Sequence, residues 1–313
     1  MLHDPLAQDL YVEICRIPLI DCHTHIDPHR PTARNLDEIL GYHYYTELAH
    51  SAGMDPSSLR GRTEPRERVR DILYHMNRFD NTAQYKWFLE IARAFLDFQG
   101  SRLTLADCTW LCDTADWLMA QPDWEEQVLH QSNMETIFLT NDFDDPLEGF
   151  DTKRYVPCLR TDDLVFQLHR PEIRQRLARA TGVEVGDPPS LRRALATLFE
   201  HFTRRGARGC ALSLPPDFVP AAVPETTLSQ SLAEMMAAGS GALGDVVSSR
   251  VRIQGTFWML AELCGEFKLP FTLMIGVNRR VYEQGVFQGQ DLFDQRTSLI
   301  QYAALFNAFP KVP

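Results

Sequence analysis

The chain has no cluster of Lys and Arg. Its 31 basic residues are outnumbered by 42 acidic ones, for a formal net charge of -11. Binding a nucleic-acid backbone or an anionic membrane surface needs concentrated positive charge, so neither is expected of this chain. A small anion is not excluded, because one well-placed Arg can hold a carboxylate. No apolar run reaches the roughly 18 residues that a membrane span needs. The opening Met1-Leu2-His3-Asp4-Pro5 is not a basic and apolar secretory signal. Cysteine is sparse and unpatterned, at 15, 22, 108, 112, 158, 210 and 264. An odd, scattered set in a chain this long predicts reduced thiols and a cytoplasmic protein. Cys108 and Cys112 have helical spacing but no second Cys/His pair nearby, so they read as helix packing rather than a zinc site. Internal repeats and low-complexity tracts are also lacking.

What is present is ordinary in bulk and specific in one place. The 313 residues are 44% apolar and 23% charged, as expected of a globular protein. The apolar run Ile17-Pro18-Leu19-Ile20-Asp21-Cys22 reads as a short buried strand. It ends in His23-Thr24-His25. Residues i and i+2 of a strand share a face, so both imidazoles would project together from its C-terminal end. That is the usual place for active sites in barrels of parallel strands. Two neutral imidazoles there supply half of a divalent metal site, zinc being the expected ion. A further carboxylate would have to come from outside these residues. The alternative is two unrelated polar residues in a loop.

The organisation that follows from periodicity is α/β. A lead-in helix is expected over 4–16 and a first strand over 18–23. From 34 to 130, apolar residues recur at helical spacing: Leu36, Ile39 and Leu40; Val69, Ile72, Leu73 and Met76; Phe88, Ile91, Ala92 and Phe95. That stretch is expected to be a helical insertion after strand one, within a single domain covering 1–313. Further strands are predicted at 136–140, 155–159, 209–213 and 271–275. Helices are predicted at 171–181, 190–205, 253–267 and 295–308, and 216–250 is expected to be irregular, with Gly239-Ser240-Gly241 in it. Strands alternating with helices imply a parallel sheet. Five βα units do not close an eight-stranded barrel, so the pattern predicts a barrel incomplete at the C-terminus.

These segments resemble a known family. The run from Ile17 to His25 is similar to the first strand of the amidohydrolase superfamily. Gly41-Tyr42-His43-Tyr44-Tyr45-Thr46-Glu47-Leu48 resembles the aspartate-His-Tyr segment of uronate isomerases. Thr140-Asn141-Asp142 with Asp144-Asp145-Pro146 is similar to their second-strand Thr-Thr-Asp-Asp-Pro motif. Cys158-Leu159-Arg160-Thr161-Asp162 resembles their third-strand Trp-Arg-Pro-Asp. Leu191-Arg192-Arg193-Ala194-Leu195, with Glu200-His201-Phe202, is similar to the helix before their fourth strand. Met274-Ile275-Gly276-Val277-Asn278-Arg279 stands where they have His-Ile-Gly-Ala-x-Arg. Two departures occur: Cys210-Ala211-Leu212 replaces Ser-Asp-His on strand four, and Met274 replaces a histidine on strand five.

The resemblance implies a (β/α)8 barrel of amidohydrolase type and interconversion of aldose and ketose hexuronates, such as glucuronate and fructuronate. It implies that His23 and His25 hold the metal, and that His43, Tyr44 and Arg160 line the substrate site. The residues suit that chemistry. Isomerisation needs a base that moves a proton between adjacent carbons and a group that polarises the carbonyl. Arg160 offers a planar fork for a carboxylate. His43 and Tyr44 are candidates for proton handling, or else part of an aromatic patch. Asp142 could accept from a sugar hydroxyl, while Asp144 and Asp145 read as turn residues before a proline. Two other readings share the half-site: a metal-dependent hydrolase or lyase acting on another sugar acid, and a non-catalytic sugar-acid binder. A homo-oligomer is compatible with each.

Overall fold

The computed structural model describes residues 4–60, 64–237, 246–279, 281 and 291–313. Gly239-Ser240-Gly241 lies outside the described residues. The strands are β1 (Leu19–Asp21), β2 (Met134–Phe138), β3 (Tyr155–Val156), β4 (Leu159–Arg160), β5 (Cys210–Leu214) and β6 (Phe271–Ile275), with a short pair β7 (Val277–Asn278) and β8 (Leu292–Phe293). They form sheets in the orders β1-β2-β3, β4-β5-β6 and β7-β8. The pairs β2–β3, β4–β5 and β5–β6 are parallel. On β1 and β2, Leu19 N donates to Asn133 O and Thr24 N to Phe138 O, an equal step along both chains, so these two run the same way.

The third predicted strand is one run in the sequence but two short strands in the structure. Pro157 sits at the break and has no N–H to give a ladder. The Cys158 N–H turns instead to the Asn141 side-chain oxygen at 3.2 Å. A parallel bridge from Asn141 to Leu159 carries the pairing across. The chain thus leaves β2 as β3 and joins β5 as β4.

In β4-β5-β6, alternation sorts the faces. Leu159, Cys210, Leu212 and Leu214 are buried in a core with Phe199, Phe202, Phe257 and Leu260, with Phe271, Leu273 and Ile275 packed against it. The residues between them, Arg160, Ala211, Ser213, Thr272 and Met274, take the opposite face. The register sets Arg160 beside Ala211, Ala211 beside Thr272, and Ser213 beside Met274. The helix Pro188–Arg204 shows why the connecting elements form. Asp187 caps it by accepting from Ser190 N at 2.8 Å, Pro188 opens it, and Leu191, Ala194, Leu195, Leu198, Phe199 and Phe202 line its buried side.

Two expectations need correction. The first concerns 216–250, where a helix runs over Glu225–Ala237 and the next spans Val246–Phe267 rather than starting at 253. Their seam is partly polar: Ser231 Oγ donates to Ser248 O at 2.6 Å, and buried Arg252 reaches Ser231, Ser248 and Ser249 hydroxyls. Hydrophobic periodicity does not register such a seam. The second concerns the first strand. Leu19 and Ile20 are 49% and 59% exposed, and the lead-in helix Pro5–Cys15 buries no residue. Among the described residues β1 has a strand neighbour on one side only, so apolar sequence here does not mean burial.

Between β1 and β2 the chain is helical, with Leu36–Leu40, His43–Ser51, Pro65–His75, Ala83–Leu96, Cys108–Met119 and Trp124–Gln131 as its principal helices. These have a core of their own, including Leu40, Tyr45, Ile72, Phe88, Leu111, Cys112 and Trp124. Arg68 donates to both Asp37 carboxylate oxygens, from Nε and Nη2, and Trp124 Nε1 donates to Ala33 O at 3.1 Å. The chain accordingly divides into two compact units: 1–19, 26–135 and 279–292 in one, and 20–25, 136–278 and 293–313 in the other. No described helix is long and apolar enough to cross a membrane. All seven cysteines are free.

Candidate functional site

His23 and His25 follow β1, and their rings meet edge to face with centroids 4.9 Å apart. The two Nε2 atoms are 3.3 Å apart. Two imidazole nitrogens bound tetrahedrally to one zinc ion at 2.0–2.1 Å would be separated by about 3.3 Å. The separation of the two nitrogens therefore matches that of two ligands in a tetrahedral site. Asp21 Oδ1 accepts from His23 N at 3.2 Å, which steadies the turn out of the strand. Thr140, two residues past β2, donates from Oγ1 to Thr24 O at 2.8 Å, and the same oxygen lies 3.0 Å from His25 Nδ1. Among the described residues no group of three or more His, Cys, Asp and Glu is placed to hold a metal ion.

Arg160 ends β4 with its side chain 40% exposed. Its Nε donates to Asp162 Oδ2 at 3.2 Å, and Asp162 Oδ1 accepts from Ser213 N at 3.3 Å. Asp162 is thus tied to β5 and orients the guanidinium while the Nη edge stays out of that pairing. Met274 is 40% exposed and shares the face of Arg160 and Ser213.

Asp142 does not stand with the histidine pair in any hydrogen bond. Its Oδ2 meets Arg176 Nη2 at 3.3 Å, and its side chain is 66% exposed. Arg176 is held mainly by Asp144, lies 4.7 Å over the Phe143 ring and also reaches Asp163. The Arg176 hydrogen bonds keep the Asp144 carboxyl below the usual carboxylate range. Asp144 is therefore an ion-pair anchor more than a turn residue. Asp145 does serve the turn, accepting from Leu147 N at 2.7 Å and Asn141 Nδ2 at 3.0 Å.

His43 and Tyr44 belong to the helical unit, whereas His23, His25, Asp142 and Arg160 belong to the other. His43 opens the helix His43–Ser51, flanked by the rings of Tyr42 and Tyr44, each with its centroid 4.3 Å away. Burial pulls the His43 imidazole below its ordinary pKa, and the Asp291 carboxylate opposes this. One helical turn on, Glu47 is pushed up by burial and then by Asp291. Asp291 pairs with Arg279 at 2.6 Å. Tyr42 and Tyr44 are about half exposed, while Tyr45 turns into the core against Phe88. Sequence reasoning singled out neither Glu47 nor Thr140. The i, i+4 step from His43 to Glu47 was a readable signal; the Thr140 contact, 115 residues from His25, was not.

A uronate isomerase from Corynebacterium efficiens is 26% identical, over 88% of this chain and 63% of that protein. Another from Latilactobacillus sakei is 24% identical, over 66% of this chain and 49% of that protein. This chain thus spans about half to two thirds of the length of these relatives. The crystal structure of uronate isomerase from Thermotoga maritima covers 99% of this chain with a TM-score of 0.86 at 18% identity, the match taking in 72% of that chain. The α/β fold is therefore that of the solved uronate isomerases over the whole chain. The glucuronate isomerase family profile matches residues 1–288, and the chain belongs to the glucuronate isomerase family.

Proposed function

We propose that this protein is an aldose–ketose isomerase of hexuronates, of the glucuronate–fructuronate type, working at a divalent-metal site on His23 and His25. The observation that carries the reading is the 3.3 Å convergence of the two Nε2 atoms in a chain of this family. The parallel order of β1 to β6, with Arg160 and Met274 on the face turned away from the helical core, supports a (β/α)8 barrel of amidohydrolase type. Zinc is among the ions that imidazole ligands suit. When bound, the ion supplies positive charge that polarises a carbonyl and orients adjacent oxygens.

The chain's own residues divide the remaining work. Arg160 grips the substrate carboxylate with the Nη edge that Asp162 leaves open. Asp142 accepts from a sugar hydroxyl with its oxygen that is not turned to Arg176. His43 and Tyr44, on the helical unit, keep the proton-handling and hydrogen-bonding roles that the family resemblance implies, and burial lowers the proton affinity of His43. One observation favours a second reading. Met274 occupies the position of a family histidine and cannot carry a proton, which suits a hydrolase or lyase of another sugar acid.

The test is incubation of the zinc-loaded protein with glucuronate or galacturonate in deuterium oxide, followed by NMR. Appearance of the ketose with deuterium gained next to the carbonyl supports the isomerase. Absence of both, alongside hydrolysis or elimination of a sugar-acid derivative, supports the second reading.

A further inference from the structure

We infer that Thr140 is a positioning residue that selects the tautomer of His25, leaving its Nε2 lone pair for the metal. The inference rests on the metal reading of His23 and His25 given above. The argument is a count of hydrogens. A threonine hydroxyl has one proton to donate and lone pairs to accept with. A backbone carbonyl can only accept. Thr140 Oγ1 is 2.8 Å from Thr24 O, so the hydroxyl proton is committed there. Facing His25 Nδ1 at 3.0 Å, the same oxygen has only lone pairs left. Two acceptors at that distance repel, so Nδ1 carries a hydrogen. A neutral imidazole has one N–H, and Nε2 is then bare. That is the atom 3.3 Å from His23 Nε2.

The arrangement is anchored on the backbone. Thr24 N donates to Phe138 O at 3.1 Å, which holds the Thr24 carbonyl in the β1–β2 ladder. Thr140 lies two residues beyond Phe138, the last residue of the neighbouring strand β2. Its branched Cβ restricts χ1, so the hydroxyl stays aimed between carbonyl and ring. The state without metal obeys the same logic. His23 Nε2–H can donate to His25 Nε2, and His25 Nε2 remains the acceptor. Metal-bound histidines generally give their second N–H to a fixed oxygen, which sets the ring and its basicity. Here that oxygen is a hydroxyl whose own proton is spent on the ligand strand.

The test uses the full chain labelled with 15N-histidine, at alkaline pH. Two-bond proton–nitrogen correlations distinguish Nδ1–H from Nε2–H. The His25 signals are those lost in His25→Gln. Wild type and Thr140→Ser should show Nδ1–H at His25, and Thr140→Val should move toward Nε2–H. Zinc affinity, read by competition with a chelator, should fall about 10–100-fold in Thr140→Val and return in Thr140→Ser. An Nε2–H pattern in the wild type overturns the proposal, and this reading needs no variant to fold. So does a Thr140→Val protein with unchanged tautomer or, where the wild type binds zinc, with unchanged zinc affinity. A tautomer that moves as expected in a protein that binds no zinc upholds the role of Thr140 and removes the metal reading beneath it.

Discussion

Replacing Arg160 by Lys keeps a positive charge at the end of β4 but removes the planar fork. In the structure the Nε edge of that fork is spent on Asp162 at 3.2 Å, and the Nη edge is left for a carboxylate. A lysine ammonium cannot hold Asp162 and present two parallel donors at once. The loss is therefore one charge-assisted hydrogen bond together with its orientation. Such bonds contribute about 1.5–3 kcal/mol when desolvated. The side chain is 40% exposed, so solvent screening places the effect at the low end. About 1.5 kcal/mol corresponds to roughly a tenfold weaker Kd. Calorimetric titration with glucuronate and galacturonate measures it directly. Asp162→Asn should weaken binding in the same direction by releasing the guanidinium, and Arg160→Lys combined with Asp162→Asn should cost less than the sum of the two. Unfolding by urea should be little changed in Arg160→Lys, because Asp162 keeps its bond from Ser213 N. Equal sugar-acid affinities in wild type and Arg160→Lys would take Arg160 out of the substrate site.

Other outcomes are equally specific. His23→Ala and His25→Ala should each lose bound zinc by elemental analysis, and a double variant that retains full occupancy would sink the metal assignment. Asp144 is held below its usual pKa by Arg176. Its contribution to stability is therefore present above the unfolded value near 4 and is lost as pH falls through the folded one. The urea midpoints of wild type and Asp144→Asn should thus differ at pH 7 and draw together as pH falls below about 4; a gap of the same size at every pH would refute the pairing. Phe257 is fully buried, with the Phe218 and Phe271 rings at 5.0 and 5.3 Å. Phe257→Ala should cost about 3–5 kcal/mol in chemical denaturation, and a loss below about 1 kcal/mol would mean that this aromatic cluster is not the centre of its core.

Much of the fold is written in local patterns. The apolar stripe from Leu191 to Phe202, opened by Asp187 and Pro188, reads as a helix because spacing and cap agree. The runs predicted at 209–213 and 271–275 read as parallel strands because they are short, apolar and flanked by helices, and the structure has strands at Cys210–Leu214 and Phe271–Ile275. The His23 and His25 pair is visible for the same reason, since a period of two puts both rings on one side. Other features are not local. The helix Glu225–Ala237 was hidden behind Pro216, Pro220 and Pro224, and its partner helix packs on it through the buried polar residues Ser248 and Arg252. The break at Pro157 was legible as chemistry, but the change of strand partner across it depends on Asn141, which lies elsewhere in the chain.

The sequence by itself determined most of the element types, the parallel arrangement, the family and the two imidazoles, because each depends on neighbours within a few residues or on ordered motifs. Tertiary structure alone decided that the helices after β1 build a separate core. It also decided that Arg176 claims Asp142 and Asp144, and that a hydroxyl 115 residues away meets His25. Those are contacts between distant segments. Their energies come from packing and from hydrogen bonds whose partners no local periodicity specifies.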